Sequence, residues 1–190
     1  MTTKYSDSLV STDWLAAHLN DADVKIVDGS WYLPTENRDG QSEFATAHLP
    51  GSVFFDIDDI SDTTNPLPHM FPDAKEFAES VGKLGITDSD HVIAYDGGTM
   101  AAAGRVWWMF RTFGQKRISV LDGGMGKWSS EGRSVESGTR NPNATTFTAT
   151  TNMELVRSLD DVLAMIGSKD EQILDARSTG STNCCGATQT

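Results

Sequence analysis

The 190-residue sequence has little cysteine: only Cys184 and Cys185, side by side near the end. Neighbouring cysteines make poor cross-links, because a disulfide needs a longer Cα separation than one peptide step provides. No disulfide framework can form, and a reducing, cytoplasmic setting is expected. Two adjacent thiols without further Cys or His also fall short of a tetrahedral metal site, so no metal and no other cofactor is expected. Positive charge is scarce too. Fifteen Lys and Arg stand against 27 Asp and Glu, a net charge of −12. So acidic a surface repels phosphate backbones and anionic lipid, which sets aside nucleic acid and membrane as partners. No run approaches the roughly 18 apolar residues of a membrane span. The opening MTTKYSDSLVSTDW has no apolar core of the kind a secretory leader needs, so none is expected. Neither GxxxxGK[ST] nor GxGxxG occurs, which removes the common nucleotide cradles.

What is present is a foldable chain. Hydrophobic residues make up 38% of it, enough for a real core, and the length suits one domain and part of another. Val24–Val27 ending in Asp28, Ser52–Phe55, His91–Tyr95 and Ile118–Leu121 read as short, nearly continuous apolar strands. Ala74, Phe77, Val81 and Leu84 recur at helical spacing, with Asp73 and Glu76 as an N-terminal cap and Gly85 as the stop. Residues 101–113 read as a buried helix. Buried strands alternating with helices predict an α/β fold, a parallel sheet with helices on both faces. Trp107 and Trp108 point about 100° apart on their helix, which predicts one in the core and one on an exposed apolar patch.

Residues 133–157, rich in Gly, Ser, Thr and Asn, predict a linker. A helical pattern resumes with Leu159, Val162, Leu163 and Ile166 between Ser158 and Gly167, and Gln172–Asp175 reads as a further strand. This unit repeats the first. Ser11 faces Ser158, Leu15 faces Val162, Leu19 faces Ile166, Ile26 faces Ile173 and Asp28 faces Asp175, all at a constant offset of 147. A gap-free match with caps and strand ends in phase points to duplication. The expected organisation is a first domain at 8–132, a linker at 133–157 and an incomplete second copy at 158–190.

Chemistry is expected where the strand ending at Tyr95 runs through Asp96-Gly97-Gly98-Thr99-Met100 into a helix. Such a loop gathers free N–H groups and the positive end of a helix, which suits an anion or an activated nucleophile. Here the residue at its mouth is Asp96, whose own carboxylate fills the place. His18 and His91 read as incidental, Arg105 as a local pairing partner, and His48 as a loop-fixing residue.

Several runs together resemble one family. DGSWYLP (28–34), HLPGSVFFDID (48–58), NPLPHMFP (65–72), GRVWWMFRTFG (104–114), LDGGMGKW (121–128) and LDARSTG (174–180) follow the order found in the tandem-domain rhodanese family, the 3-mercaptopyruvate and thiosulfate sulfurtransferases. The resemblance implies a rhodanese-like first domain and the start of a second. In that family the second domain supplies a cysteine that takes sulfur from a small anionic donor as a persulfide and passes it to a thiol or cyanide. The first domain is non-catalytic. By the same resemblance, Asp58 and His69 reach toward the substrate cleft.

The departures matter. After Gly180 the family expects an arginine that binds the substrate anion, and here Ser181 stands there. The sequence then reads STNCCGATQT in place of a catalytic loop. Cys185 only faintly echoes the family nucleophile, so no catalytic residue is assigned and the chain alone is expected to be inactive. An alternative is a non-catalytic binding module with a protein partner at the exposed interdomain face. A phosphatase of the same fold would need a longer Cys-led loop ending in arginine, and is rejected.

Overall fold

A computed structural model describes residues 8–168 and 171–174. The chain divides into two compact units, with the boundary between Leu155 and Val156. The first unit holds strands β1 (Leu9–Val10), β2 (Val24–Asp28), β3 (Val53–Phe54), β4 (His91–Tyr95) and β5 (Ile118–Leu121). Its helices are α1 (Thr12–His18), α2 (Gly40–Thr46), α3 (Ala74–Lys83), α4 (Ala101–Thr112) and α5 (Gly124–Ser130). All strand pairs are parallel, in the order β1-β5-β4-β2-β3. The α/β reading of the sequence is therefore right. β1, α2 and α5 were not foreseen, and β3 is shorter than the Ser52–Phe55 run.

Side chains alternate across the sheet, so β2, β4 and β5 each feed two cores. Val92 and Ala94 join Val27, Val120, Phe77, Val106 and Phe110 on one side, under α3 and α4. Ile93 and Tyr95 join Ile26, Leu121, Leu15 and Trp128 on the other, under α1 and α5. Burial on both faces explains why the strands read as continuous apolar runs rather than as alternation. Each fully buried large side chain contributes about 1.5–3 kcal/mol, so Phe77, Phe110 and Phe113, all 0% exposed, anchor the first core. Asp73 caps α3 by accepting from the Glu76 N–H at 2.8 Å, and Gly85 takes the left-handed stop at φ 74°.

Two expectations are corrected. Segment 133–155 has the loose composition of a linker but is strapped to the first unit. The Thr145 N–H donates to the Gly82 carbonyl, Thr150 to Phe113 and Asn152 to Thr112, while Phe147 is 3% exposed among Phe77 and Phe110. One aromatic anchor and a row of backbone bonds outweigh the freedom that the composition suggests. Trp107 and Trp108 are both half-buried. Their indoles donate to the carbonyls of Ile118 and Leu155 respectively, so neither is a bare patch.

The second unit contains α6 (Leu159–Met165), closed by a capping box of Ser158 and Asp161. Shifted by 147, the bounds of α6 coincide with those of α1. The burial does not coincide. Leu15 is 0% exposed, whereas its counterpart Val162 is only half-buried, and Leu163 and Ile166 are 55% and 65% exposed. The strand expected at Gln172–Asp175 is not formed over 172–174, and Asp175 lies outside the described residues. A strand needs a neighbour for its backbone groups, as β2 has in β3 and β4.

Candidate functional site

The carboxyl ends of β2 and β4 lie side by side, with Asp28 opposite Tyr95 in register. In open parallel sheets this edge is where ligands are met. Asp28 is 4% exposed, and its Oδ1 accepts from the Ser30 N–H at 2.9 Å and hydroxyl at 2.5 Å. The Ser30 hydroxyl oxygen in turn accepts from the Gly97 N–H at 2.9 Å, tying the two loops together. Burial pushes the Asp28 carboxyl above the usual range. The Ser30 bonds oppose that rise and the nearby Asp96 charge adds to it.

The loop after β4 closes around Asp96, which is 2% exposed. One carboxylate oxygen accepts from the N–H groups of Gly98 at 2.9 Å and Met100 at 3.0 Å. The other accepts from the Ala103 N–H, in the first turn of α4, at 2.9 Å. The loop thus gathers three amide donors at a helix start, and a side-chain carboxylate holds all of them. Met100 takes φ 67° to make the turn.

Facing this loop are Asp58 and His69. His69 Nδ1 lies 3.0 Å from Asp58 Oδ1, but off the hydrogen-bonding angle, so the contact is an ion pair whenever the ring carries charge. Trp31 holds the pair from both sides. Its indole N–H donates to Asp58 Oδ2 at 3.2 Å, and its ring meets the imidazole edge-on at 4.8 Å. His69 has φ 57°, a strained setting for a residue with a side chain. Arg105 braces it by donating from Nη2 to the His69 carbonyl.

These parts surround a pocket of about 460 Å³. Trp31, Leu33, Ile57 and Ala102 give it apolar walls, and His69, Asp96, Arg38 and Arg105 reach it with polar groups. Arg38 is committed elsewhere: its guanidinium forks onto Glu43 at 2.8 and 2.6 Å and covers the Tyr32 ring. Burial, with help from the Glu43 hydrogen bond, pushes the Tyr32 hydroxyl up to about 12. The sequence pointed to Asp58, His69 and Asp96; the structure brings His69 and Asp96 to this pocket, with Asp58 beside it, held against His69. Ser181 and Cys185 lie outside the described residues. Sequence reasoning passed over Trp31 and Tyr32, and it read Arg105 as a local pairing partner, whereas its guanidinium reaches the carbonyl of His69, 36 residues away. His48 does fix its loop: Nδ1 lies 2.8 Å from the Phe44 carbonyl oxygen and the ring stacks on Phe44.

A family model for the rhodanese-like domain matches residues 11–131. The chain belongs to the rhodanese family. It is 40% identical over 179 residues to the 3-mercaptopyruvate sulfurtransferase of Rattus norvegicus, covering 91% of this chain and 60% of that protein. It is 48% identical over 132 residues to thiosulfate/3-mercaptopyruvate sulfurtransferase 1, mitochondrial, of Arabidopsis thaliana, covering 70% of this chain and 35% of that one. The chain therefore spans between about a third and three-fifths of these curated relatives. Among solved structures it is similar to SseA from Escherichia coli, a 3-mercaptopyruvate sulfotransferase, with a TM-score of 0.87 and 37% identity. That match covers 96% of this chain and 70% of SseA. The rhodanese fold and sulfurtransferase kinship inferred from the motif order are thus correct. Among the described residues no helix is long and apolar enough to cross a membrane.

Proposed function

We propose that this chain provides the non-catalytic rhodanese domain of a sulfurtransferase and forms one wall of its substrate cleft, without turning over alone. One observation carries the reading. Sulfur transfer through a persulfide needs a thiolate seated among amide donors, which lower its pKa and then hold the terminal sulfur anion. The loop of this kind between β4 and α4 has its three donors taken by Asp96. A carboxylate there neither attacks sulfur nor admits a second anion.

The rest of the pocket suits a supporting part. His69 can hold or pass a proton, with Asp58 stabilising the charged ring. The apolar wall of Trp31, Leu33 and Ile57 excludes water from a small guest. The substrate class, a small sulfur-containing anion such as thiosulfate or 3-mercaptopyruvate, is carried over from the relatives' names. The cytoplasmic setting rests on cysteine usage alone, and one relative is mitochondrial by name. We place the first domain at residues 8–155, the strap included, and the start of a second copy after it.

The test is a sulfurtransferase assay of the purified 190-residue chain with either donor and a cyanide or thiol acceptor. The expected result is no turnover above background and no persulfide in the intact mass. Turnover that disappears on Cys185→Ser would overturn the proposal. A second reading, a binding module, draws on Leu33 and Leu67, 55% and 61% exposed, in the chain around the pocket. It requires a partner whose capture is lost on Leu67→Asp while the fold is retained.

A further inference from the structure

The pocket holds a cation that braces the His69 backbone and lies 6.0 Å over the Trp108 ring but has no ion-pair partner among the described residues. Arg105 projects from α4 and is half-buried. Its Nη2 braces the His69 carbonyl, while its Nε is buried and bonded to nothing among the described residues. Among those residues no carboxylate lies within ion-pair distance of it. Asp58, the acid that acts on it electrostatically, is engaged by His69 and Trp31. The other guanidinium at the rim, Arg38, is already neutralised by Glu43. Asp96 is equally occupied by its three amides. A half-buried guanidinium without a counter-ion is unfavourable in a protein, and on a chain of net charge −12 it stands out.

We infer that Arg105 is an anion-binding residue of the pocket, pairing with the carboxylate or sulfonate end of a small substrate whose other end lies toward His69 and the Asp96 loop. The inference rests on the reading of this pocket as a substrate wall and names the group that makes the wall selective for anions. Guanidinium geometry suits the role: a planar fork matches the two oxygens of a carboxylate or sulfonate. The apolar walls of Trp31, Ile57 and Ala102 raise the strength of such a pair by keeping water off it. Burial holds the arginine below its usual pKa, and a bound anion would restore it.

The test uses the full chain and three small probes. Pyruvate, thiosulfate and the neutral isostere pyruvamide are titrated while amide and indole NMR signals of Trp31, Gly98 and Ala102 are followed. Both anions are expected to shift these signals in the wild type, with an affinity that falls as salt rises. Arg105→Gln is expected to weaken anion binding by about tenfold or more, the size of a charge-assisted hydrogen bond. Arg105→Lys should recover part of it, and neither variant should change the response to pyruvamide. A purely structural arginine would weaken all three probes together. Equal anion affinity in wild type and Arg105→Gln, with the circular dichroism unchanged, overturns the inference and leaves the substrate wall standing. No shift with either anion in the wild type overturns the wall itself and the inference with it.

Discussion

Replacing Asp96 by alanine removes the acceptor for three backbone donors at once. They are not equivalent. Gly98 is exposed, so water reaching the pocket mouth can satisfy its N–H. Met100 is half-buried and partly served in the same way. Ala103 is fully buried, and its N–H would be left dry. An unsatisfied buried donor costs about 1–3 kcal/mol. Counting Ala103 fully and the other two in part gives a loss of about 2–4 kcal/mol. The relief of repulsion with Asp28 takes a little off that sum. Asp96→Asn keeps one acceptor oxygen and is expected to lose less, about 1–2 kcal/mol. Urea unfolding followed by tryptophan fluorescence and by circular dichroism gives both values from the shift in midpoint at constant slope. A loss below about 1 kcal/mol for Asp96→Ala would refute the view that the carboxylate holds the loop together. A loss for Asp96→Asn as large as for Ala would show that charge, rather than acceptor geometry, is what matters.

Other predictions concern separate parts of the fold. Phe147→Ala should cost about 3–5 kcal/mol in the same urea experiment, because the ring is packed edge-on against Phe77 and Phe110; a cost below about 1 kcal/mol would restore segment 133–155 to the status of a free linker. Burial raises the Asp28 carboxyl, so the folded state binds a proton more readily than the unfolded one. Stability should therefore be gained as pH falls through the folded value toward 3.8, and Asp28→Asn should flatten that part of the profile of urea midpoint against pH. His91 is held below 6.5 by burial first and by the Arg117 charge second, so its contribution is present above 6.5 and lost on acidification through the folded value. Arg117→Gln should move the NMR-measured value of His91 upward while burial keeps it below 6.5; no movement would remove Arg117 as a cause.

Much of the fold was legible because its elements are written locally. The Ala74–Lys83 helix carries its cap, its stripe and its stop within a dozen consecutive residues. The runs that become β2, β4 and β5 each bury both faces, which is what a parallel sheet demands. The misses have physical causes. α2 and α5 are short and begin at glycines, so their sequences carry no strong period. β1 has two residues, fewer than any pattern can show, and exists because β5 offers it an edge. The Gly- and Thr-rich strap looked free because composition reports freedom in the unfolded chain and says nothing of where Phe147 lands.

The sequence by itself determined the longer helices and strands, the constant offset of 147 between residues 11–28 and 158–175, and that the loop after β4 carries Asp96 at its mouth. Those are properties of neighbours along the chain. The tertiary structure alone decided that Trp31, His69, Asp96 and Arg105 share one pocket, since they come from separate segments that meet only through the strand order β1-β5-β4-β2-β3. It also decided that Arg38 is spent on Glu43 while Arg105 is not. Charge pairing depends on distances across the fold, and those are fixed only when the two cores on either side of the sheet have closed.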